Sequence, residues 1–186
     1  MLQYLFTIDQ NILSWIQEYM RNDVLSPIFI FITNLGNVAF IWIFLSLVLL
    51  MFKKTRMVGL LSLIALLLSG LVNNLILKNL VARIRPYEVI PGLQTLIGIQ
   101  KDYSFPSGHT GSSFASAITM YFGLPKKMGI PAVILATLIG LSRLYVGVHY
   151  PTDVFFGALI GVGIAVLLNK SGIKTKIGKY VKEAEK

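Results

Sequence analysis

Long apolar stretches separated by short polar segments run through most of the chain and predict membrane-spanning helices. A helix needs about 20 mainly apolar residues to cross the roughly 30 Å hydrocarbon core of a bilayer. Five stretches approach that length, and the last three are rich in small residues, which let helices pack closely in lipid. The predicted spans are residues 38–52, 57–77, 108–124, 128–148 and 154–168.

The N-terminal segment has a different pattern. Between residues 5 and 20, apolar side chains recur every three or four positions, with polar side chains between them. This periodicity predicts an amphipathic helix within residues 1–23 that lies in the membrane interface, with Trp15 and Tyr19 among the headgroups. Residues 24–35 are apolar but short, and form either a sixth span or a half-buried helix that runs into the next one. The predicted fold is an all-α, polytopic membrane helix bundle of about six helices, forming one domain over residues 1–186.

Composition agrees with a membrane protein and excludes several classes of site. The 186 residues are 55% hydrophobic and 13% charged, with a mean hydropathy of +0.72, whereas about 25% of residues are charged in soluble domains. Cysteine is absent, which excludes disulfides, thiolate zinc sites and a cysteine nucleophile. The net charge of +9 is interpreted as a signal of membrane orientation and not of nucleic-acid binding, because basic residues flank the apolar spans.

The positions of the basic residues predict the orientation of the bundle. Clusters at 53–56, 126–127 and 170–186 would all lie on one side if the spans alternate in direction. The positive-inside rule makes that side cytoplasmic, so that residues 170–186 form a basic cytoplasmic tail. We therefore expect a multi-pass protein of the cell membrane, with the loop 79–107 and the turn near His149 on the extracytoplasmic side.

Ionisable side chains near the extracytoplasmic ends of the spans are the first candidates for chemistry, because such groups are costly at membrane depth. Lys78 and Arg85 are seven residues apart and would share a face if their helix continued to residue 84, although Lys78 could also extend to the interface. Ser107 is a good cap for the following helix. Gly108 and His109 would then lie in its first turn, where free N–H groups bind anions. The alternative is a capped helix with an interfacial histidine.

A third group of candidates surrounds the start of the last span. Pro151 suits the first position of a helix, so Asp153 would lie in the first turn, four residues after His149. A carboxylate there would fix the imidazole tautomer and leave the other ring nitrogen with a free lone pair. A purely structural pair is the alternative. Arg143 has no obvious carboxylate partner in the sequence.

Together these groups predict an anion site with acid–base or nucleophilic chemistry. Three cations, two histidines, a helix N-terminus and one carboxylate are the parts that phosphoryl transfer requires. A metal site built from His109, His149 and Asp153 is an alternative. The neighbouring cations would repel a divalent ion, so no metal or cofactor is expected.

Three motifs in this order resemble those of the type 2 phosphatidic acid phosphatase (PAP2) superfamily, which includes lipid phosphate phosphatases and vanadium haloperoxidases. With their spans, the motifs cover about residues 57–168. They are Lys78-x6-Arg85-Pro86, Pro106-Ser107-Gly108-His109 and Ser142-Arg143-x5-His149-x3-Asp153.

The resemblance implies a metal-independent phosphatase with a phosphohistidine intermediate. His149 would be the nucleophile, Asp153 would orient it, and His109 would protonate the leaving oxygen. The resemblance also implies five residues that hold the phosphate oxygens, namely Lys78, Arg85, Ser107, Gly108 and Arg143.

The expected substrate is a lipid phosphate in the bilayer. Bacterial members of the family act on undecaprenyl diphosphate, phosphatidylglycerol phosphate or phosphatidic acid. Lys101 and Arg83 could contact a second phosphate, but both are interpreted as solvated surface, so replacing Arg83 by Ala should do little. Two other classes stay open: a non-hydrolytic transporter of anionic lipids, against which the lack of internal repeats counts, and a binding or scaffold protein.

Overall fold

The computed structural model describes residues 2–172, and this part of the chain is helical without any strand. A π-helical turn follows the first helix, and a π-helical segment, Gly70–Leu77, joins the fourth helix to the fifth. The predicted basic tail lies almost entirely outside the described residues. The α-helices are α1 (Leu2–Trp15), α2 (Leu25–Leu35), α3 (Phe40–Met51), α4 (Arg56–Ser69), α5 (Lys78–Val81), α6 (Pro86–Val89), α7 (Gly108–Gly123), α8 (Lys126–Tyr145) and α9 (Pro151–Lys170).

Three helices in this part of the chain are long and apolar enough to cross a membrane, and they begin at Arg56, Lys126 and Pro151. Helix α2 and the segment Asn37–Met51 meet the same criterion as one span bent by 54°. The predicted all-helical, multi-pass membrane fold is therefore confirmed with three or four candidate spans. The predicted total of about six helices is not confirmed.

The bend between α2 and α3 involves the segment that the sequence analysis left open, residues 24–35. These residues form a helix that runs into the next one through a tight turn. Val38 and Ala39 have φ angles of 50° and 55° there, a region that non-glycine residues, and β-branched ones above all, rarely adopt. The turn holds a strained backbone beside the cavity described below.

Helix α7 packs against α4, α8 and α9 and forms the centre of the bundle. Its contact with α9 depends on residues without side chains: a Cβ at Gly161 would collide with the backbone oxygen of Gly111, and one at Gly157 with that of Ser107. The prediction that small residues allow close packing of these helices is confirmed. Tight packing brings the N-terminal ends of α7 and α9 together.

Buried hydroxyl groups tie α3, α4 and α7 to one another. The Oγ of Ser46 donates to that of Ser62 at 2.7 Å, and Ser62 lies 2.7 Å from the Oγ of Ser116. The indole Nε1 of Trp42 donates to the Oγ of Ser113 at 2.8 Å. Hydrogen bonds of this kind hold helices in register where lipid offers little hydrophobic driving force between them.

Helix α1 is present at the N-terminus, as predicted, and has two different faces. Trp15 and Tyr19 are exposed, while Leu13 packs in a buried cluster that includes Tyr150. Its location in the membrane interface stays a prediction. One polar residue on the inner face was not predicted to be buried: Asp9 is only 1% exposed.

Candidate active site

A cavity of about 430 Å³ lies at the end of the bundle where α8 ends and α7 and α9 begin. The three sequence motifs, which are far apart along the chain, meet at this cavity. Two of the eight predicted site residues, Ser107 and Asp153, are fully buried and do not line it. The six that line it are Lys78, Arg85, Gly108, His109, Arg143 and His149.

Lys78 and Arg85 converge on the cavity, but not along one helical face. The helix ends at Val81 because Ala82 adopts a φ of 49°, in the left-handed region. The expectation of a shared face up to residue 84 is therefore wrong. Arg85 comes to the cavity after the chain has turned, and its Nη1 donates to the backbone oxygen of Val148 at 2.7 Å.

Both of these cations bind a carboxylate that the sequence analysis missed. Lys78 Nζ donates to one oxygen of Asp102, and Arg85 Nη2 donates to the other at 2.5 Å. Burial raises the pKa of Asp102, but the hydrogen bond from Lys78 and the charges of both cations outweigh it and lower the pKa to about 2. Asp102 is therefore ionised at neutral pH and offsets part of the positive charge of the cavity.

Arg143 has no such partner. It is 1% exposed, its Nη1 donates to Thr33 Oγ1 at 2.5 Å, and its Nε has no hydrogen-bond partner. Among residues 2–172 it forms no ion pair. A buried cation without a counter-ion is costly, and this one lies in the wall of a cavity, where an anionic ligand would stabilise it.

The His149 ring lies between a carboxylate and a guanidinium. Its Nδ1 is 3.4 Å from Asp153 Oδ2 without forming a hydrogen bond to it, and its Nε2 is 3.4 Å from Arg85 Nη1. Because a guanidinium N–H only donates, the geometry gives Nε2 the lone pair and Nδ1 the proton. Burial, and then the charges of Arg85, Arg143 and Lys78, lower the pKa of His149 well below its usual value. The ring is therefore neutral at pH 7.

Asp153 lies in the first turn of α9, behind Pro151 at the helix start, as predicted. It has more partners than the sequence predicted. Its Oδ2 accepts hydrogen bonds from Ser104 Oγ and, at 2.9 Å, from the backbone N–H of Tyr150. Its Oδ1 accepts a hydrogen bond from Arg83 Nη1 at 2.6 Å. The interpretation of Arg83 as solvated surface is therefore wrong.

The PSGH segment forms the N-terminus of α7, as predicted. Ser107 Oγ accepts a hydrogen bond from the backbone N–H of Thr110 at 3.4 Å and so caps the helix. His109 follows in the first turn, and its Nε2 lies 3.0 Å from Oδ1 of Asn37, in the strained turn before α3. Since an amide oxygen only accepts, this contact gives Nε2 of His109 a proton.

The alternative metal site is not assembled. The described residues contain no group of three or more histidine, cysteine, aspartate or glutamate side chains that could hold a metal ion. His109 and His149 direct Nε2 to an amide oxygen and to a guanidinium, respectively.

A family model described as the PAP2 superfamily matches residues 58–175. The chain belongs to the PAP2 superfamily. An undecaprenyl-diphosphatase of Sulfolobus acidocaldarius is 33% identical over 168 residues, which cover 89% of this chain and 81% of that protein. The undecaprenyl-diphosphatase BcrC of Bacillus subtilis is 37% identical over 79% of this chain and 75% of its own length.

The fold agrees with that of a solved PAP2 enzyme. The crystal structure of the transmembrane PAP2 type phosphatidylglycerolphosphate phosphatase from Bacillus subtilis matches with a TM-score of 0.74 and 28% sequence identity, over 94% of this chain and 88% of that one. The predicted family and the predicted enzyme class, a phosphoric ester hydrolase, are confirmed. The protein is a PAP2 lipid phosphatase.

The side chains that the sequence analysis missed are polar residues outside the three PAP2 motifs. Acidic residues are scarce in this chain, with eight in total. Because of that scarcity, two of the missed residues could have been identified from the sequence. Asp102 is the only acid between Glu88 and Asp153, and Asp9 is the only acid before Glu18. Asn37 and Ser104 carry no comparable signal, because asparagine and serine are common in turns.

Proposed function

We propose that the protein is a metal-independent lipid phosphate and diphosphate phosphatase that works through a phosphohistidine intermediate. The observation that carries this proposal is Arg143, a buried guanidinium without an ion-pair partner among the described residues, in the wall of the same cavity as Lys78 and Arg85. Charge-assisted hydrogen bonds from such groups bind phosphate oxygens and stabilise the charge of the transition state. Gly108 lines the cavity and adds the N-terminus of α7 to this site, with Ser107 as the cap of that helix.

In the first step, His149 attacks phosphorus with the lone pair of Nε2 while the bond from phosphorus to the leaving oxygen breaks. His109 transfers the proton on its Nε2 to that oxygen. Asp153 stabilises the positive charge that develops on the His149 ring, through the proton on Nδ1. The products are a phosphohistidine and the released lipid, which is an alcohol or, from a diphosphate, a monophosphate.

In the second step, His109 accepts a proton from a water molecule that attacks phosphorus, and the P–N bond breaks. Inorganic phosphate leaves, His149 is neutral again, and His109 again carries the proton needed for the next turnover. The two histidines therefore begin each cycle in opposite protonation states. The contacts of their Nε2 atoms with Arg85 and Asn37 place a lone pair on His149 and a proton on His109, as the two roles require.

We propose undecaprenyl diphosphate as the first candidate substrate, because two relatives that cover most of this chain are undecaprenyl-diphosphatases. Phosphatidylglycerol phosphate is the second candidate, from the solved neighbour, and phosphatidic acid the third. A lipid substrate is also supported by the cavity mouth, where Val38 lines the cavity and is 90% exposed. We place this site on the extracytoplasmic side, on the distribution of basic residues.

The test is phosphate release by the detergent-purified protein from these three lipids, in the presence of EDTA. We expect release from at least one lipid, inhibition by vanadate, and no release by the His149→Ala variant. A metal requirement would contradict the metal-independent mechanism. Lipid binding without release from any substrate would favour a non-hydrolytic transporter or binding protein.

The phosphohistidine is tested by direct trapping. A rapidly quenched reaction of the original protein with lipid substrate should contain acid-labile phosphate bound to the protein. Mass spectrometry of peptides handled at alkaline pH should place that phosphate on His149. Phosphate found on another residue, or none on the protein while lipid is consumed, would contradict the proposed intermediate.

A further inference from the structure

The two carboxylate oxygens of Asp153 face in different directions and have different partners. Oδ2 is the oxygen on the side of His149, 3.4 Å from its Nδ1, and it also accepts from Ser104 and the N–H of Tyr150. Oδ1 accepts from Nη1 of Arg83 at 2.6 Å. Arg83 therefore holds the carboxylate from the side away from the imidazole, and Oδ2 is the oxygen that faces His149.

Arg83 is itself held in place on three sides. Its Nη1 also donates to Thr152 Oγ1 at 2.7 Å, its Nη2 donates to Asp9 Oδ2 at 2.8 Å, and its guanidinium lies 3.7 Å from the centre of the Tyr150 ring. The side chain is 21% exposed. A planar guanidinium with this many fixed contacts has little freedom to rotate, so it can define the position of the carboxylate that it binds.

Asp9 brings α1 into this network. Its Oδ1 accepts from the backbone N–H of Thr152 at 3.0 Å, and its Oδ2 accepts from Thr152 Oγ1 at 2.5 Å as well as from Arg83. The residue is 1% exposed. Asp9 thus contacts both the arginine that holds Asp153 and the first turn of the helix that carries Asp153.

We propose that Arg83 and Asp9 are positioning residues that keep Asp153 ionised and directed at Nδ1 of His149. A carboxylate removed from solvent keeps its charge only when a cation is paired with it, and Arg83 is the cation that contacts Asp153. Without that contact, Asp153 would be less able to stabilise the positive charge on the His149 ring when phosphorus is attacked. The inference goes beyond the proposed function and rests on the roles given there to His149 and Asp153.

The proposal separates chemistry from phosphate binding, because Arg83 and Asp9 do not line the cavity that holds Lys78 and Arg143. Loss of a group that orients a metal ligand lowers activity by about 10- to 100-fold, and we expect an effect of that size for a group that orients a catalytic carboxylate. We therefore expect kcat to fall while KM and the inhibition constant for vanadate stay nearly constant. A purely structural role, in which the pair only anchors α1, would instead change protein yield and thermal stability without a selective effect on kcat.

The experiment measures kcat, KM, vanadate inhibition and thermal unfolding in detergent for Arg83→Ala, Arg83→Lys and Asp9→Asn. We expect kcat of Arg83→Ala to fall about 100-fold, with partial recovery in Arg83→Lys, and kcat of Asp9→Asn to fall about 10-fold. Lys127→Ala and Asp23→Asn are the matched controls, because they remove an exposed charge of the same sign elsewhere in the chain. Both controls should keep the kcat of the original protein.

Three outcomes would overturn the inference. The first is an unchanged kcat in Arg83→Ala and Asp9→Asn, while His149→Ala is inactive. The second is an equal loss of kcat and of vanadate affinity. If Arg83→Ala does not fold, the conservative variants Arg83→Lys and Asp9→Asn provide the test. The third outcome is that both have the same kcat as the controls, which would mean that Arg83 and Asp9 only anchor α1. Equal phosphate release by the original protein and by His149→Ala would instead overturn the proposed function.

Discussion

Arg143 and Arg83 are both close to the His149–Asp153 pair, but they have opposite surroundings. Arg143 lines the cavity and, within the described part of the chain, has a threonine hydroxyl as its side-chain partner and no carboxylate. Arg83 binds the carboxylates of Asp9 and Asp153. A buried cation that lacks a counter-ion is suited to an anionic ligand, whereas one that already has two carboxylates is suited to holding other side chains in place.

The cavity contains cations of both kinds, because Asp102 pairs with some of them. Of the three cations that line it, Lys78 and Arg85 share this one carboxylate, whose side chain is half exposed, and Arg143 does not contact it. The cavity therefore contains both a cation without an ion-pair partner and two that are partly neutralised. The comparison predicts that substitutions on the two sides of His149 will affect different kinetic constants.

The largest expected effect within this comparison follows the loss of the cation that has no carboxylate partner. Arg143→Ala should lower kcat/KM by about 100- to 1000-fold, as does removal of a group that stabilises transition-state charge. It should also weaken vanadate inhibition, in contrast to Arg83→Ala. Phosphate release and vanadate titration measure both quantities, and Arg143→Lys is the matched variant that keeps the charge. Unchanged vanadate inhibition in Arg143→Ala would remove the distinction between the two arginines.

A smaller effect, of opposite sign, is expected at Asp102. Asp102→Asn removes the carboxylate that partly neutralises Lys78 and Arg85, so the cavity becomes more positive. Vanadate should then bind more tightly, by about 10-fold, which corresponds to roughly 1.4 kcal/mol. The measurement is the vanadate inhibition constant at neutral pH, with Asp23→Asn as the control. Weaker binding would mean that Asp102 holds the two cations in place and does not compete with the ligand.

Replacement of Asn37 tests the role of His109 in proton transfer. Asn37→Ala removes the amide oxygen that accepts from Nε2 of His109, a contact that the leaving oxygen of the substrate would replace during the reaction. Because a single exposed hydrogen bond contributes about 1 kcal/mol, kcat should change by less than about 10-fold. A loss as large as that of His109→Ala would show that Asn37 takes a direct part in proton transfer.

The last prediction concerns orientation and leaves activity unchanged. The chain has no cysteine, so single Lys101→Cys and Lys127→Cys variants provide unique labels at two exposed positions. Lys101 lies in the loop beside the cavity, and Lys127 lies at the start of α8. An impermeant maleimide should label Lys101→Cys in intact cells and Lys127→Cys only after lysis. The reverse pattern would place the cavity on the cytoplasmic side.

Much of the fold and of the candidate site could be predicted from the sequence, because its signals are local. Apolar runs indicated α3, α4, α7, α8 and α9. Glycine and serine content predicted close packing, and Ser107 and Pro151 marked the starts of α7 and α9. The motif residues were identified by their chemistry and spacing. Each of these properties depends on residues within about two helical turns, so it can be predicted from the local sequence.

Only the tertiary structure decided which charges are paired. Arg83 and Asp9 are 74 residues apart, and Asp9 and Thr152 are 143 residues apart. Asp102 binds Lys78 from an irregular loop. Such a loop has no sequence periodicity from which the contact could be predicted. The break at Ala82 and the turn at Val38 also required the surrounding packing, since neither residue favours a positive φ by itself. The sequence determined the set of chemical groups, and the fold determined which cation is available to a ligand, because counter-ions come from segments that meet only when the helices pack.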